Sequence, residues 1–428
     1  MRRRHFLKTT AAASLAPLAV TSAVATQISN PEPLRKESFG QTTQSHDARI
    51  KELRDRIKPV TADERMNRIE KAREFMTKLN IDGLFFEGGT SLSYFTGVKW
   101  GRSERLFAMI LPRKGDPQFV APKFEADRAI EQVSSAKLLT WDEDKSPYEA
   151  IKQILEDNNI LTGTIGVEET TRFFVTDHIG KEIGSVKLVS GTPVTAGCRS
   201  VKSTHEIELM QIANDITAEV YKSAVQKLKE GMSEREFGSV VSKLFSEFGV
   251  GGGALVLFGE ASAYPHGLVR DHTLREGDIV LIDGGCSVEG YNSDVTRTTV
   301  LGKPTGKMNK VWDIVRKAQN AALAAAKPGV AGEVVDAAAR DVITDAGYGP
   351  GYKYFSHRLG HGIGLEEHEW YYLVPGNKRP VETGNVFSDE PGVYTVGEFG
   401  IRLEDELLIT DNGAKLLLPQ AKSLEEIF

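Results

Sequence analysis

Ile279-Val280-Leu281-Ile282-Asp283-Gly284-Gly285 leads, after five residues, into Tyr291-Asn292-Ser293-Asp294-Val295-Thr296-Arg297. A run of large aliphatic residues stopped by glycines reads as a buried strand, and the second stretch is again rich in strand formers. A lone carboxylate at the end of such a strand is uncomfortable, because burying an unpaired charge is costly. A hairpin through Gly284–Gly290 returns Asp294 alongside Asp283. Two carboxylates on paired strands repel unless a cation or a proton separates them. On these residues alone, metal binding and simple turn-capping stand as equal readings.

Five of the nine histidines fall between His266 and His368. His357-Arg358-Leu359-Gly360-His361-Gly362-Ile363-Gly364, followed by His368-Glu369, places histidines at offsets of four and seven. The intervening glycines rule out an amphipathic helix and let backbone and side chains approach a site closely. Two further acidic groups follow: Phe387-Ser388-Asp389-Glu390-Pro391-Gly392-Val393-Tyr394, and Ile401-Arg402-Leu403-Glu404-Asp405-Glu406. Singly, each reads equally well as a strand end with a surface acid.

Upstream, Ser203 with Glu206 forms a capping box that opens a long helix, stepping from Ile207 to Leu228 with Gly231 as its C-cap. Ser233 with Glu236 repeats the signal for a helix that stops at Gly249. β-rich segments are expected at 255–258, 278–283 and 294–300, helices at 307–326 and 332–346, then a Gly- and His-rich β region. Before Ser203 lies a smaller α/β domain over 62–195. It opens with a helix on which Met66, Ile69, Ala72, Phe75, Met76 and Leu79 recur at helical spacing. Strands at Leu84-Phe85-Phe86, Leu106–Leu111 and Phe119-Val120 follow, then alternating helices and strands to about 189. Residues 26–61 are polar, with three prolines, and read as a linker with one short helix, Ile50–Ile57. The catalytic-type region is expected over 199–428.

The whole chain has 428 residues, 53 basic against 59 acidic, net −6, and 40% hydrophobic residues. Without a basic excess there is nothing to neutralise phosphates, which argues against nucleic acid as partner. Two cysteines cannot build a disulfide framework or a Cys-rich zinc site. No uninterrupted run of 18 apolar residues is present, so no membrane span is expected. Residues 1–25 differ from the rest: Arg2, Arg3, Arg4 and Lys8 precede a small-residue run ending in Ala23-Val24-Ala25. Arg3-Arg4-His5-Phe6-Leu7-Lys8 resembles the twin-arginine (Tat) export signal. That resemblance implies a signal peptide, passage through the Tat machinery and a periplasmic or secreted product. Without the leader, 49 basic and 59 acidic residues remain, net −10.

Taken together, Asp283, Asp294, the His-x-x-x-His-Gly-Ile-Gly run with its His-Glu, Glu390-Pro391-Gly392-x-Tyr394 and Arg402-x-Glu404-Asp405 resemble the "pita-bread" metallopeptidases: aminopeptidase P, prolidase and methionine aminopeptidase. The resemblance covers roughly 203–428. It extends more loosely to 62–195, where Ser91-Leu92-Ser93-Tyr94-Phe95-Thr96-Gly97 looks like part of the creatinase/prolidase N-terminal domain. It implies an α/β (α+β) chain whose C-terminal pita-bread fold follows a smaller α/β domain. The implied ligands of two divalent ions are Asp283, Asp294, His361, Glu390 and Glu404, with Asp294 and Glu404 bridging. Four carboxylates balance two such ions, and an oxygen-rich set favours Mn²⁺, with Co²⁺ or Zn²⁺ also accommodated.

The same resemblance implies residue roles. A metal-bridging hydroxide attacks the peptide carbonyl, with Glu390 orienting and deprotonating it. His368 stabilises the oxyanion and His357 helps to shuttle a proton to the leaving nitrogen. His266, in Tyr264-Pro265-His266-Gly267 and 17 residues before Asp283, contacts substrate. Arg402 and Tyr394 hold the ligand network. Members with this two-domain form mostly cleave the bond before proline, so the expected substrates are small peptides with proline at the second position. Xaa-Pro aminopeptidase and Xaa-Pro dipeptidase stay undivided, phosphotriester hydrolysis is an expected side activity, and a homodimer or higher homo-oligomer is implied. The alternative is a metal-free relative, a creatinase-like amidinohydrolase or a non-catalytic binding module; such relatives lose metal ligands, whereas all five are present here.

Four weaker signals are set aside. Gly302-Lys303-Pro304-Thr305-Gly306-Lys307 has the wrong spacing for a phosphate loop and reads as a turn before a helix. Gly251-Gly252-Gly253 reads as a flexible loop near the site, and Cys198 and Cys286 as an improbable pair. Trp100-Gly101-Arg102-Ser103-Glu104-Arg105 reads either as part of the substrate mouth, its own or a neighbouring subunit's, or as an ordinary charged loop.

Overall fold

The structure, a computed structural model, describes residues 37–133 and 136–428. The leader expected over 1–25 lies outside them. The chain divides into two compact units, 1–48 and 49–428. Helix α1 (Glu37–Arg56) begins well before the short helix expected over Ile50–Ile57. Its Ile50 and Leu53, with Ile57 just beyond, pack on the core, Leu53 completely buried. An apolar stripe is what fastens this helix, as amphipathic packing generally does.

The first sheet is built from β1 (Gly83–Glu87), β2 (Ala108–Pro112), β3 (Gln118–Pro122), β4 (Lys137–Trp141), β5 (Thr164–Val167) and β6 (Lys187–Ser190). Its order is β4-β3-β2-β1-β5-β6, antiparallel across β1/β2 and β2/β3 and parallel elsewhere. Alternation along β1 sends Leu84 and Phe86 to one core and Phe85 to the other. The connecting helices are α2 (Ala62–Leu79), α3 (Thr90–Thr96), α4 (Ala126–Val133), α5 (Pro147–Asp157), α6 (Phe173–His178) and α7 (Thr192–Ser200). On α2, Ile69, Ala72 and Met76 are buried while Met66 and Leu79 remain exposed, so the apolar stripe is narrower than the spacing predicts.

Helices α8 (Thr204–Val225) and α9 (Glu234–Glu247) both open on the expected capping boxes. Helix α8 stops at Val225, short of Gly231; Leu228 still packs on the core, so the apolar period outlasts the helix. Strand β7 (Gly251–Phe258) takes in the glycines expected to be a loop. A Cβ on Gly252 would stand 2.6 Å from the Phe245 ring and 2.7 Å from the Gly285 carbonyl oxygen. At Gly252 the missing side chain serves close packing.

Strand β7 pairs with β8 (Ile279–Val288), which also pairs with β9 (Tyr291–Asn292) and β10 (Val295–Val300), all antiparallel. Helices α10 (Gly306–Ala325), capped by Thr305, and α11 (Gly332–Ile343) follow. A five-stranded sheet then has the order β12-β11-β13-β16-β17, from β11 (Gly360–Gly362), β12 (Glu369–Leu373), β13 (Val386–Asp389), β16 (Asp405–Thr410) and β17 (Gly413–Leu416). Between them, β14 (Gly392–Thr395) and β15 (Phe399–Arg402) form a hairpin. Cys198 and Cys286 are both buried and unpaired. Among the described residues no helix is long and apolar enough to cross a membrane.

Candidate metal centre and active site

Three sheets bring their residues to one place. Asp283 lies within β8, opposite Thr296 of β10, and Asp294 immediately precedes β10. His361 is the middle residue of β11, Glu390 follows β13, and Glu404 joins β15 to β16. Three overlapping groups of donor atoms result, each within 4.8 Å: Asp283/Asp294/Glu404, His361/Glu390/Glu404 and Asp294/His361/His368. Asp294, His361 and Glu404 are each shared by two groups. All lie on a cavity of about 220 Å³ that His266, His357, Arg358 and Arg402 also line. Asp283, Asp294 and His368 face a second, glycine-walled cleft of about 520 Å³ as well.

The electrostatics explain why these carboxylates need company. Burial pushes Asp294 and Glu404 well above the usual carboxylate range, and their acidic neighbours push the same way. Glu390 is raised to about 8 by burial, Arg402 only partly opposing it. Asp283 goes the other way: burial would raise it, but the Arg402 guanidinium at 2.5 Å and the Thr296 hydroxyl hold it below its ordinary value. Buried carboxylates this close cannot all ionise unless cations join them. His361 carries the complementary feature. Its Nδ1 donates to the Gly362 carbonyl at 3.1 Å, leaving the Nε2 lone pair 3.5 Å from Glu390 Oε1 and 3.7 Å from Asp294 Oδ2. Burial, reinforced by His368, lowers its pKa to about 4, so the ring is neutral and able to ligate. Oxygen-rich donors plus one neutral imidazole fit divalent cations.

A hydrogen-bonded frame surrounds the donors. Arg402, 2% exposed, donates to Asp283, to Thr296 Oγ1 at 3.1 Å, to the Tyr394 hydroxyl at 2.9 Å and to the Pro265 carbonyl at 3.2 Å. The Tyr394 hydroxyl stands 2.7 Å from His357 Nε2, and His357 Nδ1 donates to the Arg358 carbonyl at 2.8 Å. Burial and then Arg402 lower the His357 pKa to about 3, so His357 is neutral with both nitrogens engaged. His368 is exposed, its ring stacked on His361 at 3.8 Å. Every residue singled out from sequence therefore meets here, Tyr394 through its hydroxyl. The Trp100–Arg102 segment lines a separate cavity of about 330 Å³ with Arg199, Glu366 and Trp370.

Three participants were not singled out. Thr296 Oγ1 lies 2.8 Å from Asp283 Oδ1 and 2.6 Å from Glu404 Oε2. Glu406 accepts the Asp294 backbone N–H at 2.9 Å, and burial raises its pKa to about 8. Ser388 Oγ accepts the His361 backbone N–H at 3.0 Å. Each sits two residues from a donor (Asp294, Glu404, Glu390). Nothing in the sequence marks them as partners of these donors until the strands are paired.

Comparison with known proteins adds independent support. The sequence profile described as Metallopeptidase family M24 matches residues 208–411, and that of the Creatinase/Prolidase N-terminal domain matches 68–201. An uncharacterized peptidase of Schizosaccharomyces pombe is 38% identical over 386 residues, 85% of this chain and 83% of the relative. The Xaa-Pro dipeptidase of Pyrococcus furiosus is 33% identical, covering 83% of this chain and 99% of its own. The crystal structure of dipeptidase PepE from Mycobacterium ulcerans superimposes with a TM-score of 0.80 at 31% identity, covering 86% of this chain and all of the other.

Proposed function

Because the chain belongs to metallopeptidase family M24 and has the pita-bread fold with a creatinase/prolidase N-terminal domain, we propose that it hydrolyses the peptide bond before proline in small peptides. The observation that carries this reading is the overlap of adjacent donor groups, which share Asp294, His361 and Glu404. It fits two neighbouring divalent ions held by Asp283, Asp294, His361, Glu390 and Glu404, with Mn²⁺ favoured by the oxygen-rich set. When bound, the ions supply Lewis acidity toward a carbonyl and bring the pKa of a water toward neutrality.

The chain's own groups do the rest. Glu390, steadied by Ser388 at 3.3 Å, takes the proton of the attacking water. His368, free of hydrogen bonds among the described residues, donates to the substrate carbonyl oxygen as charge develops there. His266, exposed on the cavity rim, contacts the substrate. The Arg402–Tyr394–His357 chain fixes Asp283. A bond before proline is a tertiary amide without an N–H, so recognition rests on shape and on the carbonyl. The leader Arg3–Lys8 supports export of the folded, metal-loaded protein by the twin-arginine route.

The test is hydrolysis of Gly-Pro and Arg-Pro-Pro with added Mn²⁺, beside metal analysis of the purified protein. Proline-dependent cleavage that disappears in Asp294→Ala is expected. Cleavage of a peptide panel without regard to proline, or no recruitable divalent ion, overturns the reading. For export, the intact mass of periplasmic material should lack residues 1–25.

A further inference from the structure

His368 owes its position to its neighbours. Its side chain makes no hydrogen bond among the described residues and only stacks on His361. One residue on, Glu369 is 1% exposed; its Oε1 accepts from Arg199 Nη2 at 2.5 Å and Nε at 3.2 Å, and its Oε2 from Lys202 Nζ at 3.1 Å. Both cations are themselves buried, 3% and 2% exposed. Arg199 also reaches Glu366 Oε2 at 2.9 Å, and it donates to Ser91 Oγ of α3 at 3.1 Å. Trp370 Nε1 donates to Glu169 Oε1 at 2.8 Å. The segment that carries His368 is thus held at Glu366, Glu369 and Trp370, on both sides of the imidazole, by groups upstream of α8. Gly364 allows the close approach: a Cβ there would stand 2.9 Å from Glu369 Oε2 and 3.0 Å from Lys202 Cε.

Stability alone does not call for this arrangement. Apolar residues of similar volume replace buried ion clusters with little loss and often with gain, whereas fixing one register is the best attested use of such clusters. We propose that Arg199 and Lys202 are positioning residues: through Glu369 and Glu366 they set the His368 imidazole against His361 and toward the substrate carbonyl. The N-terminal half of the chain thereby places a group of the C-terminal site. The inference rests on the reading of His368 given under Proposed function.

A double-mutant cycle on the metal-loaded enzyme tests it. Arg199→Met and Lys202→Met with Glu369→Leu remove the buried cluster without stranding one of its charges. kcat on an Xaa-Pro peptide should fall about 10–100-fold, as when an outer partner of a site residue is lost, with KM little changed. In a His368→Ala background the same substitutions should cost no more than about twofold, because residues acting as one unit are not additive. Arg199→Lys, which keeps the charge but not the fork, should recover part of kcat. Independently of activity, backbone amides of residues 364–370 should exchange hydrogen faster in the Arg199→Met/Lys202→Met/Glu369→Leu protein at an unchanged melting temperature. An equal kcat loss with and without His368, or unchanged exchange in 364–370, overturns the proposal. Full kcat in His368→Ala instead removes the assigned role of His368, and exchange over 364–370 then decides the anchoring by itself.

Discussion

Thr296→Val exchanges a fully buried hydroxyl for a methyl group of nearly the same size. Thr296 Oγ1 accepts from Arg402 Nε at 3.1 Å and stands 2.8 Å from Asp283 Oδ1 and 2.6 Å from Glu404 Oε2. One hydroxyl has one proton, so it donates to one of these carboxylates at a time. Valine fills the volume, so no cavity contributes, but a guanidinium N–H and a carboxylate lone pair lose their partner. Each buried group left unmet costs about 1–3 kcal/mol, more when charged, which places the total at roughly 2–5 kcal/mol for the metal-free protein. Urea unfolding in chelator reads this directly as a lowered midpoint at unchanged slope. Because Thr296 supports two proposed ligands at once, Mn²⁺ affinity by calorimetry should weaken about 10–100-fold. Thr296→Ser, which restores the hydroxyl, should recover most of both losses. A Thr296→Val protein within about 0.5 kcal/mol of the parent and with unchanged Mn²⁺ affinity refutes the reasoning.

Three other expectations follow from particular contacts. In Gly360→Ala the new Cβ would sit 1.9 Å from the Ser388 carbonyl oxygen, so β11 must move; a loss of about 1–3 kcal/mol and lowered metal content by elemental analysis are expected. Arg297→Met leaves the Asp405 carboxylate, 2.6 Å from the guanidinium and wholly buried, without its cation; breaking such a pair costs about 3–5 kcal/mol, read as a lowered urea midpoint. Glu64 titrates at about 2: burial would raise it, but the Thr61 N–H and His205 outweigh burial. A depressed carboxylate stabilises above its unfolded pKa and loses that contribution as pH falls toward the folded one. The urea-midpoint gap between the parent and Glu64→Gln should therefore be full at pH 6 and narrow as pH drops below about 4.5.

Much of the centre is legible in the chain because its chemistry is carried by residue type and local order. Asp283 announces itself as a carboxylate on a run of aliphatic residues, and His361 by glycines that exclude a helix. The capping boxes at Ser203 and Ser233 are local hydrogen-bond patterns and appear where expected. Legibility fails where local signals compete with packing. The Gly251–Gly253 stretch reads as a loop by composition, yet it lies in β7, and at Gly252 the Phe245 ring and the Gly285 carbonyl leave no room for a side chain. Helix α1 reaches well upstream of the apolar stripe that predicts it. The roles of Thr296, Ser388 and Glu406 are invisible singly, because a hydroxyl or an extra acid beside a ligand has no pattern until strands are paired.

The amino-acid sequence by itself determined the family, the five donor residue types, their order along the chain and the α/β character of both halves. These depend on composition, spacing and periodicity, which are properties of neighbours in the chain. Only the tertiary structure decided which carboxylates share a neighbourhood, because Asp283 on β8, His361 on β11 and Glu404 between β15 and β16 come from different sheets. It alone separated Asp283, held ionised by Arg402, from Asp294 and Glu404, raised by burial and by one another. It alone joined Arg199 to Glu369 behind His368. The physical reason is one of range: propensity and capping act over a few residues, whereas burial, ion pairing and the pKa of a carboxylate are set by whatever distant chain folds against it.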